Sequence, residues 1–247
     1  VTLLALSGIG MAYGAVTALR DVDIEVRAGE VLALCGDNGA GKSSLVKILS
    51  GAQMPTSGTM RLEGEALRLR GPQEALKRGI ATIYQDLAVA PRLSIWQNVF
   101  LGSELTRPPF GLLDKRRMAE MSRGFLARLA IDIADMDTPV ERLSGGQRQA
   151  VAICRALRWE ARVIIMDEPT AALGVRETAQ VLDLIRRLHA EGRTVILVSH
   201  AMPDVVAVAD RVVVLKAGRK IADRPVAGLS AADLAFLITQ GAAPAPA

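Results

Sequence analysis

One stretch limits the fold of this chain more than any other. Val31-Leu32-Ala33-Leu34-Cys35 is unbroken apolar, and it runs straight into GDNGAGKSS, residues 36 to 44. A short apolar run of this kind reads as a strand covered on both faces. Leu45, Ile48 and Leu49 then recur on one side of a helix, with Gly51 as its C-cap. The loop between them carries three glycines and no bulky side chain. A surface turn accepts that composition. So does a backbone wrapped around an anion, where a Cβ would obstruct the approach of N–H groups. A buried strand before the loop and a helix N-terminus after it favour the anion, because the helix start adds a positive dipole end.

The rest of the chain alternates strands and helices around that unit. Asp21 to Val26 alternates polar and apolar, as a half-buried strand does, and Thr59 to Leu62 follows the turn Pro55–Gly58. Val163–Met166, Thr194–Val198 and Arg211–Leu215 are short buried strands, and Thr178–Ala190 is an amphipathic helix. This pattern predicts an α/β fold with a mostly parallel sheet. The middle differs. Ser94-Ile95-Trp96-Gln97 fits a capping box, residues 106 to 111 form a loop, and Asp114 caps a second helix with Met118, Met121, Phe125 and Leu129 in the core. Residues 90 to 143 read as a helical insertion, which the helix Arg148–Arg158 extends to a lobe of about 90–160. Ser230–Gln240 is a last helix, and 241–247 a disordered tail. A single domain over 2–240 is expected.

Composition excludes several classes. Half of the 247 residues are hydrophobic but only 3% aromatic, so the core is aliphatic. The formal charge is +4 without a Lys/Arg run, so no nucleic-acid partner is expected. Cys35 and Cys154 belong to no CxxC pair and read as buried thiols, not a zinc site or a disulfide. No apolar run reaches the roughly 20 residues of a spanning helix. No basic region precedes the apolar start, so no signal peptide is expected.

Gly36, Gly41, Lys42 and Ser43 match G-x-x-x-x-G-K-[ST], the phosphate-binding P-loop. Lys42 then reaches the β- and γ-phosphates, and Ser43 ligates Mg²⁺. Asp167 and Glu168 follow an apolar strand, at the edge of a parallel sheet where ligands bind. Asp167 is suited to hold Mg²⁺ through water, and Glu168 to orient or deprotonate an attacking water.

With these residues in place, Leu143-Ser144-Gly145-Gly146-Gln147 resembles the signature of ABC-type ATPases, lying between the P-loop and the acidic pair as in that family. The resemblance covers roughly residues 2 to 240. It implies a P-loop NTPase core with a RecA-like sheet, an N-terminal antiparallel β-subdomain and a helical insertion. It also implies ATP and Mg²⁺ as ligands. Its nucleotide contacts would be Tyr13 stacking on adenine, then Gly36, Asp37, Asn38, Gly39, Ala40, Gly41, Lys42, Ser43, Ser44, Gln85 and Asp167. Ser144, Gly145, Gly146 and Gln147 would close on the γ-phosphate held by a second copy. Gln85 in IYQDL matches the Mg²⁺-sensing glutamine, and His200 in LVSH the histidine at the γ-phosphate. The resemblance thus assigns catalysis to Glu168, His200, Lys42 and Gln85, and metal binding to Ser43, Gln85 and Asp167. His189 has no such context and reads as a surface residue.

One loop departs from the family. Where Ser-Ala-Leu-Asp is usual, this chain has Ala171-Ala172-Leu173-Gly174, which puts the aspartate's contact across the dimer in question. TAALGVRET and IYQDLAVAPRLSIWQNVFLG are similar to the sugar-importer versions of these segments. A single-cassette ATPase of a fructose-, ribose- or xylose-type uptake system is the reading this implies. It would be a homodimer bound to membrane permease subunits, served by a sugar-binding protein and peripheral at the cytoplasmic face of the membrane. Two alternatives stand beside it: an importer ATPase for an amino acid or other solute, and a non-transport ABC ATPase.

Overall fold

The computed structural model describes residues 1–171 and 173–240. The expected disordered tail and Ala172 lie outside the described residues. β1 (Thr2–Tyr13), β2 (Val16–Arg27), β4 (Ser57–Leu62) and β5 (Glu65–Leu67) form an antiparallel sheet in the order β2-β1-β4-β5. β2 alternates as its sequence predicts: Val22, Ile24 and Val26 are buried between exposed polar neighbours. β1 was not legible. Its register with β2 and β4 shifts around Ser7–Gly10, which breaks the period of two that marks a strand.

The second sheet runs β12-β11-β3-β10-β9-β6. It comprises β3 (Val31–Cys35), β6 (Ile80–Ile83), β9 (Val163–Asp167), β10 (Thr194–Val198), β11 (Arg211–Lys216) and β12 (Arg219–Pro225). Every neighbouring pair is parallel except β11–β12, so the expected mostly parallel sheet carries one antiparallel edge. β3 is buried along its whole length and serves three apolar clusters, with Val31 in that of the helical region. Leu32 and Leu34 face α1 (Lys42–Leu49) and the antiparallel sheet. Ala33 and Cys35 face α7 (Met202–Val208) and α8 (Ala231–Gln240). This is the period-two alternation of a strand covered on both sides. Burial pushes the Cys35 thiol up to about 12 and the Cys154 thiol further still, so both stay protonated and inert.

α3 (Ile95–Phe100), α4 (Lys115–Arg128) and α5 (Gly145–Arg158) pack on one another, and their apolar side chains join α6 (Val175–Ala190) and one face of the parallel sheet in one continuous cluster. Ser94 closes a full capping box at α3, and Asp114 accepts from the Arg117 N–H at α4, both as read from sequence. α2 (Pro72–Lys77) precedes β6. Three expectations are corrected. Met121 is 37% exposed on the outer side of α4 and not in the core. Residues 106–111 belong to a small ribbon, because Thr106–Arg107 (β7) pairs with Leu112–Leu113 (β8). α1 is capped at Ser50, with Gly51 one position beyond at φ +72.

Candidate active site

β3, β10, β9 and β6 are parallel neighbours, so their C-terminal ends share one edge. Leu34 lies beside Val198, Val198 beside Asp167, and Met166 beside Ile83. That register brings together Gly36 after β3, His200 after β10, Asp167 and Glu168 at the end of β9, and Gln85 after β6. At about 4.8 Å per strand, β3 and β9 are separated by roughly 10 Å.

The loop glycines prove to have an additional task. Gly36, Gly39 and Gly41 have φ of 149°, 79° and 106°, which side chains rarely adopt. A Cβ on Gly36 would collide with the Leu215 carbonyl oxygen of β11. On Gly41 it would meet Ala18 O and Leu19 Cδ2, each at 2.7 Å. Only at Gly39 does it enter open space. Two of the three glycines therefore let the loop lie against its own scaffold. Gly218 N–H donates to Ala40 O at 3.0 Å and braces it from the β11–β12 turn.

The inner side of the loop is rich in donors. Among the described residues no protein acceptor takes the N–H of Gly39, Gly41, Lys42, Ser43 or Ser44. These are the orphan groups of a helix start and the turn before it. The Lys42 ammonium donates to Gly36 O at 2.6 Å and Asp37 O at 3.1 Å, which holds it over the loop. Such a cradle fits the β- and γ-phosphates of a nucleotide. Ser43 and Asp37 are exposed, Ala40 is buried, and Asn38 is exposed at the loop apex.

Asp167 is half-buried. Burial holds its carboxyl above the usual range, the neighbouring Glu168 charge raises it further, and Lys42 opposes both. Its folded-state pKa lies above its unfolded value. Protonated Asp167 therefore favours the fold, and that contribution is lost as pH rises from the ordinary carboxylate range through the raised value. Asp167→Asn is expected to raise the melting temperature at neutral pH without divalent cation, and to reduce the further rise expected of wild type with Mg²⁺–nucleotide. Thermal melts with and without Mg²⁺–ADP check both.

Glu168 sits at φ +52°, held there by its N–H to Val198 O at 2.9 Å. One carboxylate oxygen lies 2.6 Å from His200 Nδ1, with the Glu168 side chain 17% and that of His200 71% exposed. The two residues expected at the reacting phosphate thus touch. A second link was not visible in the sequence: Thr170 Oγ1 donates to Asp204 Oδ2 at 2.8 Å, tying the loop after β9 to α7. Thr170 opens the TAALGVRET segment, but Asp204 belongs to no segment read from the sequence, so only the fold could reveal the pairing. Gln85 is exposed beyond β6. Tyr13, 39% exposed at the end of β1, donates its hydroxyl to Gln53 Oε1.

Ser144–Gln147 is not brought to the P-loop of the same chain. Ser144 caps α5 through the Gln147 N–H at 3.3 Å, and Gln147 Oε1 accepts from Ser144 N at 3.0 Å. The helix begins at Gly145, three residues before the expected Arg148, because this capping box draws the signature into the first turn. Gly145 packs toward Leu173, and Gly146 toward Gln180. Ser144 and Gln147 line a groove of about 370 Å³ with residues 130–132, Arg176, Glu177 and Gln180. The Gly145 and Gly146 N–H groups have no protein acceptor among the described residues.

The family model for ABC transporters matches residues 19–171, the span from β2 through the P-loop and signature to the acidic pair. The chain belongs to the ABC transporter family. Among curated relatives, the cassette is 46% identical over 225 residues to "Fructose import ATP-binding protein FrcA" of Rhizobium meliloti, covering 89% of this chain and 86% of that protein. It is 47% identical over 219 residues, with the same coverage, to "Xylose/arabinose import ATP-binding protein XylG" of Sulfolobus acidocaldarius. Among solved structures it resembles cbiO1 from Clostridium perfringens, part of the ABC transporter complex cbiONQ. There the TM-score is 0.80 at 26% identity, over 97% of this chain and 96% of that one. The cassette accordingly has the ABC ATPase fold and is a nucleotide-binding one.

Proposed function

We propose that this cassette is the ATP-hydrolysing subunit of an importer for a monosaccharide. Identity of 46–47% to FrcA and XylG across most of both proteins carries the sugar assignment. Two copies pair, each offering Ser144–Gln147 to the nucleotide on the other's P-loop. Within one chain the hydrogen bonds of these segments stay separate, which is what a site completed by a partner requires. The dimer docks on membrane permease subunits at the cytoplasmic face, and a sugar-binding protein delivers the cargo. The chain reads as one domain over 2–240 with a helical lobe of about 90–160.

The donor set suggests how the residues act. The five free N–H groups and Lys42 hold and neutralise the phosphates. Tyr13 offers its ring face to adenine, fixed by Gln53. Ser43, Gln85 and Asp167 supply oxygen ligands for Mg²⁺, which would offset charge on the β- and γ-phosphates. Glu168 accepts the proton of a water that attacks the γ-phosphorus while the bond to ADP breaks. His200 holds that carboxylate and the γ-phosphate in line. Nucleotide binding closes the pair, and hydrolysis releases it.

Lys42→Ala is expected to weaken ATP affinity by about tenfold or more, since charge-assisted hydrogen bonds are worth about 1.5–3 kcal/mol. Titration with a fluorescent ATP analogue measures it, and unchanged affinity would remove Lys42 from the site. Uptake of labelled fructose, ribose, xylose, arabinose and galactose tests the cargo, in a host lacking the gene and complemented with wild type or Glu168→Gln. Return of one sugar with wild type alone supports the assignment. Equal uptake of every sugar without the gene, in a host with no redundant importer, contradicts it.

A further inference from the structure

The β7–β8 ribbon places large apolar side chains in water at one end of the helical region. Phe110 is 83%, Leu112 68% and Leu113 45% exposed. Thr106 pairs with Leu113 and Arg107 with Leu112, so the two leucines fall on opposite faces of the ribbon, with Phe110 at its tip. A protein groove covers one face of such an element. Each face carries one exposed leucine, Leu112 beside Arg107 and Leu113 beside Thr106, and a finger with an apolar side chain on each face and at the tip is suited to a medium that surrounds it.

The backbone of the tip is also prepared to leave water. Pro108 and Pro109 have no N–H to lose, and the Gly111 N–H donates to Arg107 O at 3.1 Å. Among the described residues, Phe110 alone retains a free backbone donor across 108–111. Few unpaired donors lower the cost of entering an apolar phase. The base of the finger is basic. Lys115 and Arg117 open α4 and carry no ion pair among the described residues, and within 104–123 five cations face three carboxylates. An apolar tip above a basic base is the arrangement of an interfacial anchor on anionic lipid. No described helix is long and apolar enough to cross a membrane, so this contact would lie on the surface.

We infer that residues 106–117 form a lipid-contacting finger: Phe110, Leu112 and Leu113 enter the headgroup region of an anionic bilayer, with Lys115 and Arg117 on its phosphates. This adds a direct lipid contact to the docking on a permease proposed above. The vesicle measurements that decide it contain no permease, so its failure leaves the importer reading untouched.

Cys35 and Cys154 are fully buried, so Phe110→Cys can be labelled selectively with a polarity-sensitive fluorophore. A Glu65→Cys label on the exposed β5 edge is the control. With vesicles of phosphatidylcholine containing about a third phosphatidylglycerol, the emission at 110 is expected to shift to the blue and that at 65 to stay. Vesicle co-sedimentation of the unlabelled chain is expected to weaken by about tenfold or more in Phe110→Ser/Leu112→Ser, and by a smaller factor in Lys115→Gln/Arg117→Gln. Melting temperature and basal ATP hydrolysis should stay those of wild type in both variants. An unshifted spectrum at 110, or co-sedimentation that neither variant changes, overturns the inference. If the spectrum stays unshifted while Phe110→Ser/Leu112→Ser still impairs assembly with permease subunits, the finger docks a protein and the lipid contact is wrong.

Discussion

Glu168→Gln is expected to lower steady-state ATP hydrolysis by about 10²–10⁴-fold, the usual contribution of a positioned acid–base group. Nucleotide affinity should be retained. The substitution keeps the shape of the side chain and its φ of +52°. The amide takes up the same space as the carboxylate, one oxygen of which lies 2.6 Å from His200 Nδ1, so the loop after β9 holds its place. What disappears is the negative oxygen proposed to take a proton from water. A second effect acts in the same direction. The Glu168 charge helps hold the Asp167 carboxyl above its usual range, so its removal eases ionisation of Asp167 and favours a divalent cation there. Nucleotide should therefore bind Glu168→Gln at least as tightly as wild type and stay on it longer. Phosphate release and equilibrium binding in parallel give both quantities. Hydrolysis at the wild-type rate would remove Glu168 from its assigned role. Loss of binding along with turnover would make Glu168 a structural residue.

The largest effect on stability is expected at Arg211, far from any motif. It is 7% exposed and pairs with Glu30 Oε1 at 2.7 Å and Oε2 at 3.2 Å, with Asp223 Oδ1 at 2.5 Å, and with the Glu25 carbonyl. These contacts join β11 to the turn before β3 and to β12. The paired Glu30 carboxylate raises the guanidinium pKa further, so the cation persists at every accessible pH. Removing one partner of a buried pair leaves the others uncompensated, at a cost of about 3–5 kcal/mol. Arg211→Met should therefore lower the melting temperature by roughly 6–20 °C, at the 2–4 °C per kcal/mol usual for this size. Arg211→Met/Glu30→Met should recover part of that loss, because it removes the stranded carboxylate with its partner. A double variant no more stable than Arg211→Met alone would show that the pair is not the origin of the effect.

Much of the candidate active-site edge was legible because its residues are tied to local patterns. Apolar runs mark β3, β9 and β10, and the chemistry follows each run within two residues. Capping chemistry is local as well: Ser94–Gln97 and Asp114 gave the starts of α3 and α4 directly. Illegible elements lack a local period. β1 hides behind register shifts, and β7–β8 pairs only two residues on each side. Met121 follows the helical repeat of Met118 yet faces outward, since a repeat names a stripe but not its width.

By itself the sequence determined the P-loop, the acidic pair, the signature and the family they resemble, because each motif is a run of neighbours whose chemistry needs no distant partner. Tertiary structure alone decided which motifs meet. Sheet order sets β3, β10, β9 and β6 side by side, so Glu168 touches His200 across 32 residues of chain, while Ser144–Gln147 is carried away on α5 to face another groove. It also decided why Gly36 and Gly41 are glycine, since the atoms a Cβ would strike belong to β11 and β2. Proximity across strands depends on the order in which strands pair, and no spacing along one chain encodes that order.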